Sequence, residues 1–225
     1  MLKADLHIHT KYSPDSSVSP KSLVARCAKL GINCIAVTDH DTILGSQAVA
    51  KIAPFRVIIG SEIKSADGEI IGLFLKEDVP PRLSALETAR RIKQQGGLVS
   101  LPHPFDRFRR HVITPKGLEE ALPYADMLEG FNARNLAQED NRKALELAGK
   151  RGLPAIGVTD CHSILEIGRA YTEIPDFDGT PDGFKKALAQ SKIVGRSSHP
   201  MVHTISTYNK FKKRFLKTIG MKQGR

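Results

Sequence analysis

The stretch CIAVTDH, residues 34–40, places ionisable side chains directly after a short apolar run. A continuous aliphatic run of this length is typical of a strand buried on both faces, as in a parallel sheet. Asp39 and His40 follow where the strand would end. Charges at such a position are costly inside a core unless a cation balances them. The stretch therefore predicts a buried strand with chemistry at its carboxyl end.

The same pattern recurs along the chain. Apolar runs that end in polar residues lie at 55–62, 97–104, 125–132 and 153–160. Helical spacing fills the intervening segments, most clearly at 19–30, 82–95 and 138–151. In the first of these segments Ser19 precedes Pro20 and Gly31 ends the pattern, which are helix start and stop signals. The alternating order of strands and helices predicts an α/β fold.

Polar motifs at six predicted strand ends decide between an open sheet and a closed barrel. Both architectures gather functional residues at the carboxyl ends of their strands. A closed ring brings the six ends to one point, whereas an open sheet spreads them along an edge, so we expect a barrel. The strand-end residues are His7, His9, His40, Glu62, His103, Asn132, Asp160 and His162.

The net charge of +10 is concentrated at the carboxyl terminus. Residues 209–225 carry seven basic side chains and no acidic one, so the rest of the chain is only about +3. We therefore predict one domain at 1–208 and a basic tail or helix at 209–225. Phe211, Phe215 and Ile219 repeat there at helical spacing. A solvated terminus, a nucleic-acid contact, and docking on the body, a partner or an acidic membrane surface all stay open.

The cysteines and the amino terminus indicate a reducing compartment. Cys27, Cys34 and Cys161 are odd in number and form no CxxC pair, which suits free thiols. No apolar run approaches the roughly 20 residues that span a bilayer. The amino terminus MLKADLHIHT lacks the apolar core of a signal peptide. We expect a cytoplasmic protein without a membrane span.

His7 and His9 form a candidate metal-binding pair. They are two residues apart, so in an extended strand both imidazoles project from the same face. Asp15 follows in TKYSPDSS, whose proline and serines indicate a turn that returns the carboxylate toward the pair. The amino-terminal segment therefore predicts three ligands.

Single candidate ligands follow at later strand ends. His40 is predicted to bind a metal, with Asp39 as its hydrogen-bonded partner. Glu62 ends VIIGSE, and a carboxylate at a strand end can bridge two cations through its two oxygens. His103 is held between two prolines in LPHP, which lowers the entropy that it loses on binding.

Asp160 and His162 in VTDCHS form a second pair, with Cys161 between them expected to point into packing. A site this rich in ligands implies more than one metal. A water that bridges two cations loses a proton near neutral pH, and the resulting hydroxide is positioned for in-line attack on phosphorus. Phosphate ester hydrolysis is the predicted chemistry, with amide or lactone hydrolysis as the mechanistic alternative.

Five motifs, HIH, TDH, GSE, LPHP and DCH, occur in this order between residue 5 and about residue 175. Together they resemble the motif set of the polymerase and histidinol phosphatase family, PHP. The stretch from MLEGFNARN to TDCHSILEIG also resembles the carboxyl-terminal segment of many small stand-alone members. The resemblance implies a distorted (β/α)7, TIM-like barrel with two or three divalent metals, commonly manganese, iron or zinc.

The resemblance also implies the ligand sets. The first metal, at the catalytic hydroxide, would have four ligands, His7, His9, Glu62 and Asp160. The second would share Glu62 as a bridge and add His103. The third would have three ligands, Asp15, His40 and His162. Many relatives supply one more histidine or cysteine at the second metal, where this chain has Asn132, a weaker ligand that could instead contact substrate.

Cationic side chains near these motifs indicate the substrate. The loop FDRFRRH, residues 105–111, follows His103 and could clamp a second phosphate. The candidate substrate-binding residues are Arg107, Arg109, Arg110 and Arg134. They favour a nucleoside bisphosphate or a short oligonucleotide over a simple phosphomonoester, although solvated loop charges are the alternative reading. His199 and His203 are expected to serve packing or the surface rather than to act as a general acid.

The competing class is a non-catalytic PHP module that binds nucleic acid through the basic tail. Family members fused to polymerases can lose ligands and survive as structural or proofreading parts. Retention of nearly every ligand favours the enzyme. The sequence carries no signal for the oligomeric state.

Overall fold

The computed structural model describes residues 1–218, apart from the side chain of Lys217. Its strands are β1 (Leu2–Ile8), β2 (Cys34–Val37), β3 (Arg56–Ser65), β4 (Gly68–Leu73), β5 (Leu98–Leu101), β6 (Ala125–Asn132), β7 (Ala155–Val158), β8 (Ala170–Ile174) and β9 (Lys192–Gly195). Its helices are α1 (Pro20–Leu30), α2 (Leu44–Ala50), α3 (Ala85–Gln94), α4 (Pro115–Ala121), α5 (Gln138–Arg151), α6 (Pro181–Leu188) and α7 (Val202–Thr218). The predicted α/β class is confirmed.

Local capping signals start and end the helices where the sequence places them. The Ser19 hydroxyl accepts a hydrogen bond from the amide of Ser22, and Pro20 occupies the first turn, where an amide donor would have no helical partner. Gly31 ends α1 in the left-handed conformation, with φ 69°. Gly152 ends α5 in the same way, with φ 63°. The structure agrees with the predicted ends of both helices.

The described strands form one sheet in the order β7-β6-β5-β4-β3-β2-β1-β8-β9. The sheet curls until the end of β7 meets β1. Cys161 bridges Ile8 there, and the Asp5 carboxylate accepts hydrogen bonds from the amide and hydroxyl of Thr159. Strands β1–β7 thus make a nearly closed barrel, as predicted. Strands β8 and β9 extend the sheet beyond β1 in antiparallel register.

Strand β4 departs from the parallel pattern because a tight turn reverses the chain after β3. It pairs antiparallel with both β3 and β5. At Gly68, with φ 127°, an added Cβ would lie 2.3 Å from the Cα of Ile113, so the turn requires glycine. The register sets Lys64 opposite Glu69, which puts Glu69 on the face of the sheet that carries Glu62.

Helix α7 contains much of the predicted basic tail but begins before it, at Val202, so the predicted boundary between residues 208 and 209 falls inside the helix. Val202 and Asn209 are buried, which means that the helix packs on the barrel. Residue Ile219 of the predicted apolar repeat lies outside the described residues. Within residues 1–218, no helix is both long enough and apolar enough to cross a membrane.

The cysteines are buried and form no disulfide, as the sequence predicts. Cys27 and Cys161 lie in the apolar cluster between β1, β2 and α1. Cys161 is therefore turned into packing while its neighbours Asp160 and His162 face the barrel end.

Candidate metal centre

Side chains from strands β1, β3 and β4 and from the segments that follow β1, β2, β5 and β7 converge at one end of the barrel. Glu62 lies inside β3, which continues past the predicted strand end to Ser65. They form four overlapping groups, and within each group the ligand atoms all lie within 4.8 Å of one another. The groups are His9, Asp15, His40 and His162; His7, Glu62 and His103; His7, His9 and Asp160; and His40, Glu62 and Glu69. The structure thus brings all eight predicted metal ligands into one cluster, and Glu69 joins them.

The backbone is strained at two of these positions. His103 has φ 28° and Asp160 has φ 53°, in the left-handed region that non-glycine residues seldom adopt. Each such residue costs roughly 1–3 kcal/mol, which surrounding contacts must offset. The strain is typical of strand ends whose side chains are held at a functional site.

Hydrogen bonds orient the imidazole rings of His7 and His162 so that Nε2 of each ring faces the cluster. Nδ1 of His7 donates to Oε1 of Glu129 at 2.6 Å. Nδ1 of His162 donates to the carbonyl oxygen of Asp160 at 2.9 Å. Because Nδ1 carries a proton in both rings, the neutral form of each ring has its lone pair on Nε2, the form in which imidazole binds a metal.

Asp39 acts on His9 rather than on the ring of His40, its predicted partner. Its carboxylate accepts from the amide and hydroxyl of Thr10 at 2.7 and 2.6 Å and from the Ser13 hydroxyl at 2.8 Å. Because the Ser13 hydroxyl donates to Asp39, it accepts from Nδ1 of His9 at 3.0 Å. Successive residues of an extended segment point in opposite directions, so Asp39 and His40 serve different parts of the site.

The close Nε2 atoms and the carboxylate oxygens without hydrogen-bond partners fit a bound cation. The Nε2 atoms of His7 and His9 lie 2.9 Å apart. Within the described residues, buried oxygens of Asp15, Glu62 and Asp160 have no hydrogen-bond partner. Burial lowers the pKa of His9, but Asp160 and Glu62 outweigh burial and raise it to about 9. The cluster attracts positive charge, and a divalent cation matches both nitrogen and oxygen ligands.

Glu62 lies at the centre of the cluster. Its Oε1 lies 3.1 Å from Nε2 of His103 and 3.5 Å from Nε2 of His7. Its Oε2 lies 3.3 Å from Nε2 of His9 and 3.1 Å from Nδ1 of His40. Each oxygen thus faces a different pair of imidazoles, which is the arrangement that a bridging carboxylate requires.

Glu69 is a site residue that the sequence analysis missed. It is buried, and its two oxygens lie 3.8 Å from Nδ1 of His40 and 3.8 Å from Nε2 of His103. Burial, together with the neighbouring Glu62, raises the pKa of Glu69 to about 7. Ligand oxygens of Glu62 and Glu69 lie within 4.8 Å of each other, and two carboxylates this close repel unless a proton or a cation offsets their charge. A lone carboxylate inside the apolar stretch GEIIGL is the sequence signal that could have identified it.

Asn132, the candidate ligand of the second metal, is turned away from that role. Its side-chain oxygen accepts from the Arg134 amide at 2.9 Å. Its Nδ2 donates to Glu129 at 2.9 Å and to Asp160 at 3.1 Å. The oxygen is the atom that would bind a cation, and it is already engaged. Asn132 therefore orients two carboxylates.

Glu129 is a second residue that the sequence analysis missed, and it hydrogen-bonds to two residues of the cluster, His7 and His103. One of its oxygens accepts from Nδ1 of His7, and the other accepts from the His103 amide at 3.0 Å and from Asn132. The carboxylate is buried in β6, within the apolar run ADMLEGFN. It fixes the ring of His7 and the backbone of His103 together.

We expect Glu129→Gln to lower the affinity for Mn²⁺ roughly 10- to 100-fold, the usual cost of losing an outer partner of a ligand. Glutamine offers one acceptor atom where Glu129 offers two, so a donor would face a donor at either His7 or His103. Titration of metal-free protein with Mn²⁺ measures the change, and exposed Glu77→Gln is the matched control. Equal affinities of Glu129→Gln and wild type would contradict this role.

A cavity of about 410 Å³ opens over the cluster. Four cluster residues line it, Asp15, His40, Glu69 and His162. Its basic lining residues are Lys64, Arg109, Arg110, His111, Arg134, His203 and Lys210. Helix α7 supplies part of one wall, which includes Ser206 and Thr207.

The predicted substrate-binding arginines do not all reach this cavity. Arg110 lines it and is exposed. Arg107 does not line it, because its guanidinium pairs with Asp140 at 2.6 Å. The Asp140 carboxylate is buried and needs a cation, which Arg107 supplies. The structure therefore does not bring Arg107 to the site.

Arg109 and Arg134 line the cavity but also pair with acidic neighbours. Arg109 contacts Asp160 and donates to Asp106 at 2.9 Å. Burial lowers the pKa of Arg109, but Asp160 and then Asp106 outweigh burial and raise it. Arg134 lies 3.3 Å from Glu166. Both guanidiniums are thereby held at the edge of the cluster.

The histidines near the carboxyl terminus also differ in position. His199 is exposed and does not line the cavity. His203 lines the cavity, and its Nε2 lies 3.1 Å from the carbonyl oxygen of Arg134.

Two family models match the chain. The PHP domain model matches residues 5–128, more than half of the chain, and the PHP-associated model matches residues 138–193. The chain belongs to the PHP family. This PHP protein is 48% identical over 117 residues to an uncharacterized protein of Methanocaldococcus jannaschii, a match that covers 46% of this chain and 68% of that protein.

Solved structures of PHP-like proteins share the fold. A two-domain protein of Bacteroides vulgatus, containing a predicted PHP-like metal-dependent phosphoesterase, matches with a TM-score of 0.72 and 20% identity over 92% of this chain and 69% of that chain. Endonuclease Q, bound to a 27-mer duplex with an abasic lesion at the active site, matches with a TM-score of 0.61 and 17% identity. That match covers 88% of this chain and 60% of that one. The predicted TIM-like PHP barrel is confirmed.

Proposed function

We propose that this PHP protein is a phosphoesterase that uses two or three divalent cations, manganese, iron or zinc. The observation that carries the proposal is the overlap of the ligand groups, since His7, His9, His40 and Glu62 each belong to two of them. Overlapping groups can hold cations close enough to share a ligand, which is the arrangement of two-metal phosphoesterases. The retained ligand set argues against a non-catalytic module.

The distances support one assignment of ligands to each cation. The first would take His7, His9, Glu62 and Asp160. The second would take Glu62, His103 and Glu69, with Glu69 in the role that Asn132 does not fill. The third would take Asp15, His40 and His162.

Bound cations would act as Lewis acids and lower the pKa of a bound water, which is the chemistry that phosphate ester hydrolysis requires. The residues of the chain bind, orient and balance charge. Glu129 and Asp39 hold the rings of His7 and His9 in the required tautomer. Arg109 and Arg110 supply fixed positive charge for phosphate oxygens that do not touch metal.

The cavity favours a substrate with more than one phosphate. Seven basic side chains line it, from β3, the loop after β5, the segment after β6 and α7, which is more positive charge than a single reacting phosphate requires. A volume of about 410 Å³ lies in the range of sites that take a small molecule. A nucleoside bisphosphate or the end of an oligonucleotide has suitable size and charge.

The exposed face of α7 favours an oligonucleotide as the substrate. Tyr208, Phe211 and Phe215 are each at least 64% exposed and repeat at helical spacing. Lys210 and Arg214 lie between these rings in the sequence, and Lys210 also lines the cavity. Exposed aromatic rings beside cations bind single-stranded nucleic acid by stacking and phosphate contacts. Endonuclease Q, a structural neighbour, binds DNA at its active site.

We expect the double variant Phe211→Ala/Phe215→Ala to raise KM for short RNA or DNA by about tenfold or more, since base stacking contributes roughly 1–3 kcal/mol per base. Turnover of a nucleoside bisphosphate should change little, because both rings lie outside the cavity lining. Ile52→Ala, at an exposed apolar residue away from the cavity, is the control. Unchanged KM for oligonucleotides would count against the stacking surface.

The proposed function is tested by assaying phosphomonoesters, nucleoside bisphosphates and short RNAs with Mn²⁺. We expect release of inorganic phosphate or nucleotides, with the substrates that carry more than one phosphate preferred. Hydrolysis of amides or lactones alone would favour the carbon-centred alternative. Binding of RNA without turnover in any metal would favour the non-catalytic module.

A further inference from the structure

The turn after β1 carries Asp15, and most of its support comes from within the barrel. Ser13 is held by Asp39, and the Ser16 hydroxyl donates to the carbonyl oxygens of His9 and His162 at 3.0 and 3.2 Å. These contacts fix the two ends of the turn. The carbonyl oxygens of Lys11, Ser13 and Ser16 in this segment also need donors.

Lys213 of α7 supplies those donors. Its Nζ lies 2.7 Å from the carbonyl oxygen of Lys11, 2.5 Å from that of Ser13 and 2.6 Å from that of Ser16. An ammonium group has three N–H donors, and all three are used. The side chain is half-buried, so the contact is shielded from solvent. Lys213 thereby holds together the turn that carries Asp15.

The same helix is anchored at its other end beside the cluster. Arg134 donates to the Ser206 hydroxyl at 2.9 Å, and His203 contacts the Arg134 carbonyl oxygen at 3.1 Å. Asn209 is buried between the two anchor points. Helix α7 is therefore fixed at two places along its length rather than attached at one point.

The turn in question presents a ligand. Asp15 Oδ2 lies 3.3 Å from Nε2 of His40, and its Oδ1 lies 3.4 Å from Nε2 of His162. A short loop that loses its fixing contacts samples other conformations, and a ligand on it then pays an ordering cost on binding. Movement of the turn would therefore act on the third cation more than on the other two.

We propose that Lys213 is a positioning residue that holds the Asp15 turn and thereby completes the third cation position. The inference rests on the proposed function and adds the carboxyl-terminal helix to the site. Of the roles left open for the basic segment 209–225, it favours docking on the body. A protein cut after residue 208 would lose Lys213 and with it the contacts to Lys11, Ser13 and Ser16.

The test is equilibrium dialysis of full-length protein against graded Mn²⁺, with metal analysis. Lys213→Met keeps the aliphatic stem and removes the donors, and we expect one equivalent of Mn²⁺ to bind at least about tenfold more weakly while the others bind as in wild type. Lys213→Arg keeps a cation with N–H donors and should restore part of the loss. Lys212→Met removes one charge from an exposed neighbour and should match wild type.

A second readout separates positioning from general loss of stability. Hydrogen exchange of metal-free protein should be faster in the segment around residues 10–16 for Lys213→Met than for Lys212→Met, with the β-sheet amides unchanged. The inference is overturned if Lys213→Met retains every Mn²⁺ equivalent at wild-type affinity, or if all equivalents weaken together. Wild-type protein that binds no Mn²⁺ would instead overturn the proposed function itself.

Discussion

Replacement of Glu62 by glutamine is expected to reduce kcat/KM for phosphate esters by more than about 100-fold. This exceeds the usual cost of losing a residue that only hydrogen-bonds to a metal ligand. Glu62 is the residue whose two oxygens face different pairs of imidazoles. Glutamine keeps the shape but removes the charge and turns an amide donor toward one of those pairs. Two cation positions would lose their shared ligand at once.

The measurement is steady-state hydrolysis of the best substrate from the panel at saturating Mn²⁺. Exposed Glu119→Gln on α4 removes the same charge far from the cluster and is the control. Circular dichroism and thermal unfolding verify that Glu62→Gln is folded. A folded variant within about tenfold of wild type would mean that the carboxylate does not bridge.

Affinity for Mn²⁺ is expected to rise at least about 100-fold between pH 6.5 and pH 8.5. Asp160 and Glu62 raise the pKa of His9 to about 9 against the effect of burial, so the metal-free protein holds a proton there below that pH. A metal must displace this proton because only neutral imidazole is a ligand. Each displaced proton makes the apparent affinity rise about tenfold per pH unit until pH passes about 9.

Competition titrations with a fluorescent chelator at several pH values measure this slope. The pKa of His7 is also raised, by Asp160, Glu129 and Glu62 against burial, which steepens the dependence. His199→Gln, at an exposed histidine outside the cavity, should leave the slope unchanged. An affinity that stays constant or falls with rising pH would show that these imidazoles are not the ligands.

The barrel and most of its metal cluster could be predicted because local signals suffice for them. Helix caps at Ser19 and Gly31 depend on a few neighbouring residues, and so does the alternation that puts His7 and His9 on one face. Strand ends of a barrel converge for topological reasons. The positions of most predicted ligands therefore follow from the strand ends, although Glu62 lies inside β3.

Strand β4 and Glu69 were missed because their identity depends on pairing. The Asp67–Gly68 pair at the start of GEIIGL is a hairpin signal that the sequence analysis did not use, and the apolar run by itself suits either a strand or part of a helix. Its antiparallel register with β3 decides the face on which Glu69 lies. Glu129 was missed for a similar reason, since a carboxylate inside an apolar strand becomes informative only beside His7.

The contacts of the loop at 105–111 and of helix α7 were the hardest to predict from the sequence. Arg107, Arg109 and Arg110 are nearly adjacent in one loop, and backbone conformation decides which of them faces the cavity. Lys213 bonds to backbone carbonyl oxygens, which every residue carries, so no complementary residue type marks its partners in the sequence. Long-range contacts of this kind require the fold.

Metal analysis of the protein after saturation with Mn²⁺ and removal of free metal tests the central claim most directly. The cluster predicts at least two Mn²⁺ per chain for wild type, because its ligand groups overlap around Glu62 and extend to Asp15. Glu62→Gln should retain fewer equivalents than wild type. Fewer than one Mn²⁺ per wild-type chain would contradict a polynuclear metal centre.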